Sequence, residues 1–257
     1  MQDYNDLFYL IYQPIVNIKN NGTLEILEYE VLLRSQDKRR FPNKKFNEIL
    51  SSPEKHQMFM KWYFEKLNDV LVRNENINLA INIHPLQWKE TIIFDFFYKL
   101  KEFSNRIKIE LTEHRNFIEF DLDTVFKSRY AELVMLGYNF VIDDVGNGTN
   151  DIDFVIKHIE QVSSIKFSIL PFRDIKKETL ILFIEAWFRL AKQFDKEFVV
   201  EGIECKIFSS CLLNMGIRLQ QGFLFGEGKS HVASSKKKNF FNFVFINLGS
   251  VECLLVF

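Results

Sequence analysis

Seven apolar runs along this 257-residue chain close on, or near, a carboxylate, an amide or an ammonium group. Glu30 stands near the end of one run, Asn82 closes AIN, and Glu110 closes IKIE. Asp143 and Asp144 close FVIDD, Lys166 closes SSIK, Glu201 closes FVVE and Gln221 closes RLQQ. Taken singly, each reads more readily as a cap for the next helix or a solvated loop contact than as a functional group. The adjacent pair Asp143 and Asp144 is different, because two acids at the end of an apolar strand repel unless cations neutralise them. Carboxylates with one amide oxygen, and no Cys or His at ligand spacing, make a hard oxygen site suited to Mg²⁺ or Mn²⁺. Two such ions side by side can activate a water and clamp phosphoryl oxygens during an in-line displacement, so the expected chemistry is phosphodiester hydrolysis. Lys166 either orients the attacking water, stabilises charge on the equatorial oxygens, or forms a structural ion pair with one of these acids.

Residues so far apart in sequence need a scaffold that delivers strand ends to one face. Apolar, β-branched runs at 7–18, 24–33, 77–83, 107–111, 138–142, 163–167, 197–200 and 217–221 alternate with stretches of helical periodicity, the pattern of βα repeats. Helices are expected at 43–74 with a break near 51–53, and at 85–103, 121–136, 151–158, 176–194 and 205–215. The first two runs are separated only by KNNGT, too short for a crossover, so they should pair antiparallel. The expected fold is an α/β, (β/α)₈ TIM-like barrel with the first strand antiparallel, whose functional face is the carboxyl end of its strands. A single domain is expected, with a motif-bearing core at about 7–232 and a C-terminal helix or tail at 233–257.

Bulk composition narrows the class further. A 47% hydrophobic chain of this length can bury one large core. Its 33 Lys and Arg against 34 Asp and Glu give no overall field for a polyanion, which argues against a nucleic-acid polymer as partner. The N-terminal stretch lacks a basic leader, and no segment carries the roughly 18 uninterrupted apolar residues of a membrane span. A cytoplasmic location is therefore expected. Cys205, Cys211 and Cys253 show no CxxC or zinc spacing and are expected as reduced thiols. His84 and His114 follow strand ends and are expected at the loop surface. No GxSxG, Walker or GxGxxG pattern supports a serine nucleophile, a P-loop or a dinucleotide fold.

The ordered set of motifs resembles the EAL family of cyclic di-GMP phosphodiesterases from about Tyr12 to Gly226. YQPIV at 12–16, EVLLR at 30–34, INIHP at 81–85, IELTE at 109–113, DDVGNGTND at 143–151, IKFS at 165–168, VEGIE at 200–204 and QGFLFG at 221–226 stand in the family's order. The resemblance implies that Glu30, Asn82, Glu110 and Asp143 hold one metal ion, and that Asp143 bridges to a second held with Asp144 and Glu201. It implies that Lys166 assists the bridging water, that Gln221 and Glu204 support the catalytic pocket, and that Arg34 contacts substrate phosphate or guanine. Glu113 would brace the loop after Asp144, which in the family couples metal binding, substrate binding and dimer contact. Two Mg²⁺ or Mn²⁺ ions, opening of cyclic di-GMP to linear pGpG, a homodimer and a bacterial source follow as expectations.

The chain departs from the family pattern DDFGTGYSS at Val145, Asn147, Thr149, Asn150 and Asp151. Ser168 replaces the carboxylate of the family's KxD, Val31 replaces the alanine of EAL, and Glu227 and Gly228 stand where a proline is common. Weak or dimer-dependent turnover is expected from the altered loop. Two other readings stand beside the leading one. In the first, a degenerate EAL domain binds cyclic di-GMP or another protein without turnover. In the second, an unrelated barrel acts on another phosphate ester. No GGDEF-like motif or sensory segment is read, so regulation is expected from a protein partner, from expression or from oligomerisation.

Overall fold

Two long strands form the hairpin on which the barrel closes. In the computed structural model, which describes residues 3–113, 122–232 and 237–238, a single turn α1 (Tyr4–Leu7) leads into β1 (Phe8–Ile18). β1 pairs antiparallel with β2 (Leu24–Ser35), with a bulge between Ile15 and Val16. β3 (Leu79–Ile83), β4 (Ile107–Leu111), β5 (Asn139–Ile142), β6 (Ser164–Ser168), β7 (Glu197–Glu201) and β8 (Leu219–Gln221) then run parallel to β2. The sheet order is β1-β8-β7-β6-β5-β4-β3-β2, and β1 closes it by pairing antiparallel with both β8 and β2. The (β/α)₈ barrel with its first strand reversed is thus formed as the sequence indicates. A two-residue strand, β9 (Lys237–Lys238), adds to the start of β2. The remainder of the expected C-terminal helix lies outside the described residues, as does His114.

The crossover helices are α2 (Asn43–Leu50), α3 (Pro53–Arg73), α4 (Ile92–Lys99), α5 (Leu122–Met135), α6 (Ile152–His158), α7 (Lys177–Gln193) and α8 (Lys206–Asn214). The expected break near residue 52 has a local cause: Ser52 accepts from the Lys55 amide as N-cap and Pro53 opens the first turn of α3. The single helix expected over 85–103 is instead a 3-10 turn at Pro85–Lys89, then α4, then a second 3-10 turn at Lys101–Arg106. His84 and Gln87 form a reciprocal cap on the first turn, and Glu90 is extended, so Trp88 and the Phe96–Phe97 face of α4 can both be buried. The aromatic content packs as core, with Phe59, Tyr63 and Phe96 in successive ring contact outside the barrel wall. Among the described residues no helix is long and apolar enough to cross a membrane. Cys205 is a free, exposed thiol as expected, and Cys253 lies outside the described residues.

The barrel lumen is polar at two levels, and the strand period of two sets both. At the lower level Lys108 of β4 bridges Glu28 of β2 at 3.2 Å and Glu197 of β7 at 2.9 Å. Two residues further along the same strands stand Glu30, in the middle of β2, and Glu110, next to last in β4.

Candidate active site

Acids from β2 and from the carboxyl ends of β4, β5 and β7 converge on one ammonium group of β6. Lys166 Nζ lies 2.5 Å from Glu201, 2.8 Å from Glu110, 3.1 Å from Asp143 and 3.4 Å from Glu30. Lys166 is 1% exposed and Glu110 is fully buried, so this is a desolvated cluster and not a surface network. Carboxylate oxygens of Glu30, Glu110 and Asp143 all fall within 4.8 Å of one another. Two amides finish the ring around Glu30: Asn82 Nδ2 donates to its Oε1 at 2.9 Å, and Gln221 Nε2 donates to its Oε2 at 2.6 Å. Gln221 also donates to Gln13 Oε1 at 3.3 Å across the β8–β1 seam.

Backbone geometry fixes the position of Gln221. Gly222 has φ 155°, and a Cβ there would stand 2.1 Å from the Ile203 carbonyl oxygen, so only glycine lets the loop after β7 cross this closely. The Ile203 amide donates to the Gln221 carbonyl at 3.0 Å across that approach.

Charge balance in the cluster is unfavourable. Burial pushes the Glu110, Glu201 and Asp143 carboxyls above their ordinary range, with Lys166 pulling the other way, and neighbouring acids add to the upward shift. Glu30 differs: burial raises it, but Lys166 and the amide donors Asn82 and Gln221 bring it below its ordinary value. The surrounding acids hold the Lys166 ammonium well above its usual range, although burial alone would lower it. Asp144 stands just outside this centre, in a left-handed conformation at φ 46°. Burial, Asp143 and a carboxyl contact with Glu113 push it up to about 8.

An ammonium has three N–H donors and cannot neutralise four acids. Glu110 Oε2 and Asp144 Oδ1 are buried without a hydrogen bond, while Glu110 Oε1, Asp143 Oδ1 and Glu201 Oε1 share the one Lys166 ammonium. Orphaned buried carboxylate oxygens, an amide oxygen on Asn82 and no thiol or imidazole among them are the donor set of a hard divalent cation. The residues present therefore fit a hard divalent cation.

Beside the cluster opens a cavity of about 480 Å³ that runs from Glu30 and Asn82 past Arg34 and Glu113 to Phe41 and Phe46. Arg34 is tethered at its mouth through a 3.0 Å bond to the Leu33 carbonyl. His84, expected at the loop surface, lines this cavity and caps the turn behind it through Nδ1. Glu204 is not brought to the centre: its side chain is 58% exposed, faces Arg173 at 3.6 Å, and lines a separate groove with Gly202 and Cys205. Ser168 accepts from the Leu170 amide at 3.4 Å. Sequence reasoning gave no role to Gln13 or the lower lumen layer, and read the loop residue Asn150 only as a departure from the family's pattern. The E-x-E and K-x-E spacings at 28–30 and 108–110 were signals for the second of these.

Fold and site together define an α/β barrel with an acidic, cation-demanding carboxyl face. The EAL domain family matches over residues 3–228, and the chain belongs to that family. Among solved structures, the EAL enzyme Bd1971 in its cAMP- and cyclic-di-GMP-bound form is 26% identical, with a TM-score of 0.67 over 87% of this chain and 62% of that one. This chain therefore spans about three-fifths of the Bd1971 length. A standalone versatile EAL protein from Vibrio cholerae O395, bound to c-di-GMP, shares the fold at 20% identity and a TM-score of 0.69, over 89% of this chain and 96% of that one. BlrP1 of Klebsiella pneumoniae, as a manganese and cy-diGMP complex, shares it at 23% identity and a TM-score of 0.66, over 89% and 57%. No curated protein sequence matches the chain.

Proposed function

We propose that this chain is a divalent-metal-dependent phosphodiesterase that opens cyclic di-GMP to linear pGpG. The observation that carries the reading is the convergence of Glu30, Glu110, Asp143 and Glu201 on a single buried Lys166, one cation for four acids, with Glu110 Oε2 left without a partner. In this reading Glu30, Asn82, Glu110 and Asp143 hold one ion, and Asp143, Asp144 and Glu201 hold a second. Asn82 commits its N–H to Glu30, which leaves Oδ1 as its ligand atom. Bound there, Mg²⁺ or Mn²⁺ supplies Lewis acidity to the phosphodiester and lowers the pKa of water.

The chain's own groups have separate tasks. Gln221 and Asn82 hold the Glu30 carboxylate in one orientation from two sides, as partners behind a ligand do. Lys166 keeps a positive charge where non-bridging phosphoryl oxygens would collect. Glu113 braces Asp144, and Arg34 at the cavity mouth pairs with a substrate phosphate or the guanine edge. Phe41 and Phe46 give an apolar wall against which a purine can stack, in a volume within the ordinary ligand range. Glu204 makes no contact with the cluster and enters only through the loop that follows β7. The chain acts as one domain, and a homodimer is part of the proposal, supported by Ile152 and Ile156 exposed on α6 directly after the Asp144 loop.

A non-hydrolysing cyclic di-GMP module is the second reading. It is favoured by Ser168, which caps a turn where the family pattern has a carboxylate. Incubation of purified protein with cyclic di-GMP and Mn²⁺, followed by chromatography, separates the two. Formation of pGpG supports hydrolysis, whereas saturable binding without product supports the module.

A further inference from the structure

The loop from Asp143 to Asp151, where the chain departs from its family's pattern, is organised around Asn150. This side chain is fully buried. Its Nδ2 donates to the Asp143 carbonyl at 2.5 Å and to the Leu111 carbonyl at 2.7 Å. Leu111 directly follows Glu110 at the end of β4, and Asp143 directly follows the end of β5. One amide group therefore joins the main chains that carry two of the clustered acids. Both acceptors are carbonyl oxygens, so the amide nitrogen must face them, and the Oδ1 accepts no hydrogen bond.

The rest of the loop closes on the same residue. The Asn150 amide donates to the Asn147 carbonyl at 3.0 Å, and the Asn150 carbonyl accepts from the Gly146 amide at 2.7 Å. The Val145 amide donates to the Lys166 carbonyl at 2.9 Å, which brings in the end of β6. A serine at 150 has one donor for two acceptors, and an ionised aspartate has none.

We infer that Asn150 is a positioning residue: it clamps the ends of β4 and β5 together and so sets the separation of the Glu110 and Asp143 carboxylates. Its consequence for metal uptake rests on the proposed function, but the clamp itself does not.

The test uses the full chain with Asn150→Ala and the conservative Asn150→Ser. In metal-free protein, amide hydrogen exchange in segment 143–150 should quicken at least tenfold in the alanine variant and recover partly in the serine variant. Strand 197–201 should exchange as in the unmodified protein. Calorimetric titration with Mn²⁺ should show affinity lowered about 10- to 100-fold in the alanine variant, the range for a group that orients ligands from behind, with serine intermediate. Unchanged exchange in 143–150 overturns the clamp. Exchange that rises evenly over the whole barrel, with serine no better than alanine, overturns it too, because Asn150 would then serve general stability. If the unmodified protein takes up no Mn²⁺, the functional reading fails by itself and the exchange measurement still decides the clamp.

Discussion

Gln221 donates to Glu30 through a 2.6 Å bond that joins the last parallel strand of the barrel to the second. The donor is an amide and the acceptor a buried carboxylate, so this is a charge-assisted bond of about 1.5–3 kcal/mol. Gln221→Glu sets two carboxylates against each other. It should lower Mn²⁺ affinity about 10- to 100-fold in calorimetry, while circular dichroism stays that of the barrel. Unaltered affinity would remove Gln221 from the site.

Glu30→Ala removes the side chain on which Asn82, Gln221 and Lys166 meet. Hydrolysis of cyclic di-GMP should fall by at least about 10²–10³-fold, the scale for losing one preorganised stabilising group. Product chromatography on the variant checks this. Full activity would contradict the ligand assignment.

Lys166→Met leaves Glu30, Glu110, Asp143 and Glu201 without a counter-charge. Breaking a buried pair by deleting one partner costs roughly 3–5 kcal/mol. Thermal melts in chelator should show that loss, and excess Mn²⁺ should return part of it by binding the folded state. A variant as stable as the parent in chelator would mean the acids are neutral without the lysine.

The pH dependence follows from the raised carboxyls. Asp144 titrates near 4 when unfolded and is pushed up to about 8 when folded, and Glu110, Glu201 and Asp143 shift in the same direction. A raised acid favours the folded state while protonated, so that stabilisation is present at low pH and is lost as pH climbs from about 4 toward 8. Metal-free protein should therefore lose melting temperature between about pH 5 and 8, while Mn²⁺ affinity rises over the same interval. Glu30 opposes this only at the acid end, where its lowered value removes stability as pH falls. A melting temperature that rises steadily to pH 8 in chelator would refute the charge balance.

Gly222→Ala places a methyl group on the Ile203 carbonyl. Overpacking of this kind costs about 1–3 kcal/mol and displaces Gln221 from Glu30. Both a lower melting temperature and weaker Mn²⁺ binding are expected; a change in melting alone would separate the turn from the site.

The barrel was legible because its strands are apolar runs that stop on polar residues, and because KNNGT permits only a hairpin between the first two. Glu30, Asn82, Glu110, Asp143, Lys166, Glu201 and Gln221 could be placed on one face by that rule. Placing them within bonding distance required closure of the sheet, which no local pattern encodes. Glu204 shows the limit: it shares a motif with Glu201, yet the turn at Gly202 sends it outward to Arg173. Asn150 was visible only as a departure, since its acceptors are main-chain carbonyls that look alike from any sequence. The broken helix at 85–103 depended on a reciprocal His84–Gln87 cap, which helical periodicity does not reveal.

Because β1 seals the barrel against β8, contacts separated by about two hundred residues in sequence, such as Gln13 with Gln221, form the seam. Such distant pairings are slow to find and come late in folding. Glu30 receives its Gln221 partner from across that seam, so a nascent or half-built barrel has no finished cation pocket. Divalent-ion uptake would then report topological completion of the polypeptide, not simply the presence of its acids.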